Sequence, residues 1–145
     1  MSRRIPPPVV DVALLVARVA IGVVFVAHGW QKFHTNGLTA TGHAFKAMGV
    51  PAPTLSAYYA TFVELGAGIL LILGLLTPIA GVLLFLDMVG AFLTVHVDKG
   101  LFVDKGGYEL VLTLAAVTLA LAVVGAGRVS ADGLFFGRRA SADAA

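Results

Sequence analysis

Four apolar stretches, at residues 12–34, 55–76, 78–97 and 107–125, each approach the ~20 residues a helix needs to cross the hydrocarbon core of a bilayer. Spans two and three are joined only by Leu75-Leu76-Thr77-Pro78. So short a link makes them antiparallel neighbours, and an even number of spans puts both termini on one side. The expected fold is an all-α integral membrane protein, an antiparallel up-down four-helix bundle forming one domain over residues 1–145. Composition agrees, because 59% of residues are hydrophobic and only 12% are charged. A mean hydropathy of +0.95 excludes an ordinary soluble domain. The first stretch is too long and too late for a secretory signal, and no small-residue cleavage site follows it.

The connections are read from their breakers and caps. Ser2-Arg3-Arg4 and Pro6-Pro7-Pro8 form a basic, extended lead within a flexible tail at 1–10, and Asp11 is placed to cap span one. Residues 40–48 form a short interfacial helix carrying Phe45 and Met48, ended by Gly49 and Pro51-Ala52-Pro53. Thr54 or Ser56 caps span two, and Thr77 caps span three with Pro78 at its first helical position. Asp98-Lys99-Gly100 and Asp104-Lys105-Gly106-Gly107 enclose Leu101-Phe102-Val103 in a polar loop that turns back toward the bilayer, and 133–145 is a second flexible tail. Arg3, Arg4, Arg128, Arg138 and Arg139 on the terminal side outnumber Lys32, Lys46, Lys99 and Lys105 opposite, so the positive-inside rule makes the termini cytoplasmic.

Every span carries an ionisable residue that hydrocarbon rejects. A charge near a helix centre costs about 2.5–3.5 kcal/mol, against a return of about 0.3–0.6 from each large apolar residue, so insertion survives one charge per span. Counted from the terminal side at 1.5 Å per residue, Arg18, Asp87 and Glu64 lie about 9, 13 and 18 Å deep, within reach of an arginine–carboxylate pair. His28, Lys32, His96 and Glu109 gather near the opposite interface. Helical spacing sets Arg18 on a stripe with Gly22, Phe25 and Gly29, Glu64 with Ala60, Gly68 and Leu71, and Glu109 with Thr113, Ala116 and Ala120. Small residues on these stripes let helices approach, so the charges point into the bundle. Asp87 and His96, nine residues apart, face opposite ways unless span three bends.

Two readings of Arg18, Glu64 and Asp87 stay open: they fix helix register, or they line a polar cavity that binds a small headgroup or relays protons. His28, ahead of Gly29-Trp30-Gln31-Lys32, reads equally as an interfacial histidine beside an aromatic anchor. No second histidine pair or small-residue groove argues for a haem between His28 and His96, and a zinc there lacks third and fourth ligands, so no metal site is expected. His34 and His43 are solvated. The absence of cysteine excludes disulfides, iron–sulfur ligation and thiol chemistry carried by this chain. Ten basic and eight acidic residues, scattered rather than striped, give no nucleic-acid footprint.

Arg18 with His28-Gly29-Trp30-Gln31-Lys32-Phe33, Gly49-Val50-Pro51, Glu64-Leu65-Gly66-Ala67-Gly68 with Gly74, His96-Val97-Asp98-Lys99-Gly100, Gly106-Gly107-Tyr108-Glu109 and Gly125-Ala126-Gly127-Arg128-Val129-Ser130-Ala131-Asp132 occur in order along nearly the whole chain. Together they resemble the DoxX family of small bacterial inner-membrane proteins. Ala126 and Ala131 depart from the proline and leucine frequent there.

The resemblance implies a multi-pass protein of the bacterial inner membrane. It also suggests links to quinone, to oxidative-stress complexes and to peripheral or soluble redox partners, with no covalent cofactor. The leading expectation is therefore a membrane subunit of a redox system rather than a stand-alone enzyme. Its small-molecule or proton-path candidates are Arg18, Glu64, Asp87, His28, His96, Glu109 and Lys32, and no residue is assigned as catalytic. The alternatives are a non-catalytic scaffold, or a small proton-coupled transporter that would need a homo-oligomer.

Overall fold

The computed structural model describes residues 6–135, so the basic residues Arg3, Arg4, Arg138 and Arg139, half of the expected 1–10 tail and most of the 133–145 tail lie outside it. The described chain is helical and contains no strand: α1 Pro7–Trp30, α2 Leu38–Ala47, α3 Pro53–Leu73, α4 Thr77–Ala91, α5 Glu109–Val124 and the short α6 Ala131–Phe135. π-helical segments extend α1 over Gln31–Asn36 and α4 over Phe92–His96. Three runs are long and apolar enough to cross a membrane, namely Pro7–Asn36, Pro53–Leu73 and Thr77–Lys99. The fourth expected span is shorter than its 107–125 reading: α5 has 16 residues, or about 24 Å at 1.5 Å per residue.

α1 packs on α3, α4 on α5, and α3 on α4, while α2 lies against α3. Glycines set the approach of the first two pairs. A Cβ on Gly22 would sit 2.8 Å from the Gly68 carbonyl oxygen, and one on Gly81 would sit 2.8 Å from that of Thr118. α1 buries Arg18, Gly22, Phe25 and Gly29, the residues that share one stripe by spacing. α5 turns otherwise: Thr113, Ala116 and Ala120 are exposed, and Val111, Leu114, Ala115, Thr118 and Leu121 are buried. Residues 110–124 are apolar on every side, so spacing alone sets no phase there, and the fit of Gly81 against Thr118 and Ala122 decides it.

The core joins Phe25, Ala67, Leu71, Leu84, Met88, Leu114 and Leu121. Val16, Val23, Phe62, Ile79, Leu93 and Val123 point outward and are at least half exposed, the apolar coat a lipid-facing surface requires. Thr61 and Thr118 are fully buried, and each donates its hydroxyl to the carbonyl four residues earlier, at 2.7 and 2.8 Å.

Several caps differ from expectation. Pro7 and Pro8 are helical, because proline is tolerated in a first turn whose N–H groups have no intrahelical partner. Asp11 therefore lies inside α1, where it accepts a hydrogen bond from the Arg128 N–H at 2.8 Å. Neither Thr54 nor Ser56 caps α3; the residue ahead of it is Ala52, with φ of 45°, and Ser56 Oγ donates to the Pro51 carbonyl.

Thr77 does not cap α4 either. The cap comes from Asp132, whose two carboxylate oxygens accept from the Leu76 and Thr77 N–H groups at 2.8 and 3.0 Å. Asp132 N–H in turn donates to the Gly74 carbonyl, so the 125–132 turn closes over the α3–α4 link. Asp132→Ala is expected to cost about 2 kcal/mol, the upper end for a lost cap, because two N–H groups are orphaned. Asp132→Asn, which keeps one good acceptor, should lose about half as much in thermal unfolding of the detergent-solubilised protein.

Candidate functional site

Arg18 is fully buried yet pairs with neither Glu64 nor Asp87. Its Nη1 donates to the Leu71 carbonyl at 3.2 Å and its Nη2 to the Val129 carbonyl at 2.6 Å. Asp132, already capping α4, supplies the countercharge. The Leu71 carbonyl, which also accepts from the Gly74 N–H, and the Val129 carbonyl of the 125–132 turn have lone pairs to spare for a guanidinium, and both lie nearer than the carboxylates of Glu64 and Asp87. Arg18 thus ties α1 to α3 and to the C-terminal turn, away from the other candidates. Glu109 is also apart: its Oε1 accepts from the Val103 N–H at 2.7 Å and so closes the loop between α4 and α5.

The remaining five candidates meet. A cavity of about 600 Å³ opens between α1, α3, α4 and α5, and His28, Lys32, Glu64, Asp87 and His96 all line it. α2 and the chain after it cover one side with Phe45, Met48 and Pro51. Phe25, Met88, Val111 and Leu114 make its deep wall apolar. That volume, and an apolar wall with a few converging polar groups, are what small-molecule sites share.

Lys32 Nζ donates to Glu64 Oε2 at 2.6 Å, with the Lys32 side chain 18% and the Glu64 side chain 5% exposed. The π-helical segment that starts at Gln31 begins the departure of this chain from α1, and the long lysine stem bridges to α3. Asp87, 8% exposed, stands beside Glu64 and Lys32, and its Oδ2 has no hydrogen-bond partner. One ammonium thus faces two carboxylates, so a neutral cluster needs one more proton or cation.

His96 shares the cavity with Asp87 in spite of the nine-residue spacing. The π-helical segment Phe92–His96 lies between them and turns less per residue than an α-helix, which is the bend their shared facing requires. His96 Nδ1 donates to the Gly106 carbonyl at 2.6 Å, and His28 Nδ1 donates to the Val24 carbonyl at 2.8 Å. His34 is exposed, as expected of a solvated residue, and stacks on Trp30 with ring centroids 4.9 Å apart. Tyr59, Thr94 and Lys99 also line the cavity and were not among the candidates drawn from the sequence. Tyr59 lies five residues before Glu64, a spacing that sets the two obliquely on the helix and so hid their common use. Among the described residues, no three His, Asp or Glu side chains cluster to hold a metal ion.

The DoxX family profile matches residues 13–97, which takes in all five cavity candidates and Arg18 but neither Glu109 nor the 125–132 turn. CatD of Bacillus subtilis, provisionally named an oxidoreductase, is 35% identical over 111 residues, covering 77% of this chain and 79% of that protein. Rv3486 of Mycobacterium tuberculosis, named only as a membrane protein, is 43% identical over 59% of this chain and 49% of its own length. YphA of Escherichia coli, named an inner membrane protein, is 30% identical over 83% of this chain and 89% of its own. No solved structure matches the chain.

Proposed function

Since this chain belongs to the DoxX family of membrane proteins, we propose that it is the membrane subunit of a redox system, binding an isoprenoid quinone or a similar small headgroup in the cavity between its helices. In this reading α1, α3, α4 and α5 span the bacterial inner membrane as an antiparallel four-helix bundle with cytoplasmic termini, α2 lies at the opposite interface, and peripheral or soluble partners exchange electrons with the bound ring. The three-residue link between α3 and α4 supports the antiparallel pairing. The name of CatD agrees with a redox role.

The observation that carries the reading is the cavity itself. Its apolar wall suits an isoprenoid tail, and the Lys32–Glu64 pair, Asp87 and the two histidines form a polar end able to hydrogen-bond a ring oxygen and exchange its protons. Arg18 belongs to the framework instead, since backbone carbonyls take up its terminal nitrogens. Mass spectrometry of the organic extract from gently purified protein is the test. Near-stoichiometric quinone in the wild type, lost in Glu64→Gln, is the expected result. No enrichment over bulk lipid would favour a scaffold role, with recruitment of partners by the exposed connections.

A further inference from the structure

Resting on the quinone-site reading and narrowing it, we infer that the cavity takes its ligand sideways from the lipid, through a gap between α3 and α4 at Gly90, and that the ligand's apolar tail stays lodged in that gap.

The α1–α3 and α4–α5 seams are closed by backbone packing. A Cβ on Gly22 or Gly29 of α1 would run into α3, and one on Gly81 of α4 would run into α5. Gly90 lies on the same helix as Gly81 and is different. It lines the cavity, it is exposed, and a Cβ there would meet no atom of the described residues within 4 Å. Leu86, one turn before it, also lines the cavity, is 53% exposed and continues the outward stripe of Ile79 and Val82. A residue that belongs both to the cavity and to the apolar coat marks an edge between them. From α3, Tyr59 lines the same edge and reaches across to donate toward the Leu83 carbonyl at 3.4 Å, which bounds the gap on one side. Two turns further along α4, Gly90 contributes no side chain to close it.

Depth decides what can enter. Gly90 lies ~20 Å along α4 from Thr77, within a hydrocarbon core ~30 Å thick, so in the spanning arrangement proposed above the gap faces acyl chains rather than water. Size decides what must stay outside. A cavity of about 600 Å³ holds a ring and the first units of an isoprenoid chain, and the rest of the chain has to leave. A route past Leu86, the Tyr59 ring and a bare glycine backbone keeps that tail out of water along its whole length. At the inner end the ring oxygens meet Lys32, whose ammonium keeps two N–H groups after its bond to Glu64.

The test uses the full chain in phosphatidylcholine nanodiscs and a benzoquinone whose decyl tail carries a diazirine at mid-length. After illumination and peptide mass spectrometry, the adducts that excess unlabelled decylbenzoquinone removes are expected on Tyr59, Leu86 and residues 89–93. Removable adducts on α2, or on the outer faces of α1 or α5, at Leu110 for example, would overturn the inference and leave the quinone-site reading standing. If the unlabelled quinone removes no adduct anywhere, both fall. Two variants test the gap separately. Gly90→Leu, which fills it, should weaken equilibrium binding of decylbenzoquinone about tenfold by displacing the tail from its contacts. Gly66→Leu, on the exposed side of α3 and outside the cavity lining, should leave binding within about twofold of wild type, since a side chain there touches neither ring nor tail. Equal binding by the two variants would overturn the inference. Both new side chains start in open space, and the photolabelling needs no variant to fold.

Discussion

Lys32→Met is expected to cost about 3–5 kcal/mol of stability, while Glu64→Gln, at the other end of the same ion pair, costs about 1 kcal/mol. The asymmetry follows from the third member of the cluster. Removing Lys32 leaves Glu64 and Asp87 facing each other with no cation between them. Removing the charge of Glu64 leaves one ammonium with one carboxylate, which is balanced, and glutamine still accepts from Lys32. Thermal midpoints of the monodisperse protein in one detergent give the ranking directly. Equal losses would mean that Asp87 takes no part in the charge balance of the cavity. The same ranking keeps Glu64→Gln usable in the quinone-extraction experiment, because that variant remains folded.

Gly74→Ala should be as severe, at about 3 kcal/mol or more, since it combines backbone strain with overpacking. Gly74 ends α3 at φ of 67°, where an L side chain is disfavoured, and its Cβ would fall on the Arg18 guanidinium and 2.6 Å from the Ser130 Cβ. The methyl group would displace Arg18 from both carbonyls that hold it and pry the 125–132 turn from the α3–α4 link. Gly66 is the control. It lies inside α3, exposed, and a Cβ there meets nothing within 4 Å. Gly66→Ala should therefore gain up to about 1 kcal/mol from helix propensity. If the two glycines responded alike in thermal unfolding, the crowding at Gly74 would be irrelevant to stability.

The parts of this molecule that follow a period were legible in its sequence. Apolar length found α1, α3 and α4, and the stripe through Arg18, Gly22, Phe25 and Gly29 gave the face of α1 that is buried. The phase of α5 was not legible, because a helix apolar all round has no stripe to read. The search for countercharges misdirected Arg18, since its partners are backbone carbonyls, which carry no residue identity. Asp11 read as the cap of the first span and Asp132 only as part of the closing motif; their actual roles depend on contacts across 117 and 56 residues of chain. The gathering of the cavity side chains likewise depends on two π-helical segments, for which residue spacing assumes an α-helix.

The clamp on Arg18 also bears on how the protein is made. Its tighter carbonyl, that of Val129, lies 111 residues further along the chain. A nascent chain emerges from its N-terminus, so the first helix precedes both carbonyls, and its guanidinium has only that of Leu71 until the 125–132 turn is synthesised. Until then α1 has reason to remain with the insertion machinery or at the polar interface, and the bundle locks only when its final segment arrives. A chain cut short before Val129 would leave that guanidinium with one of its two carbonyls and without Asp132, a clamp half closed.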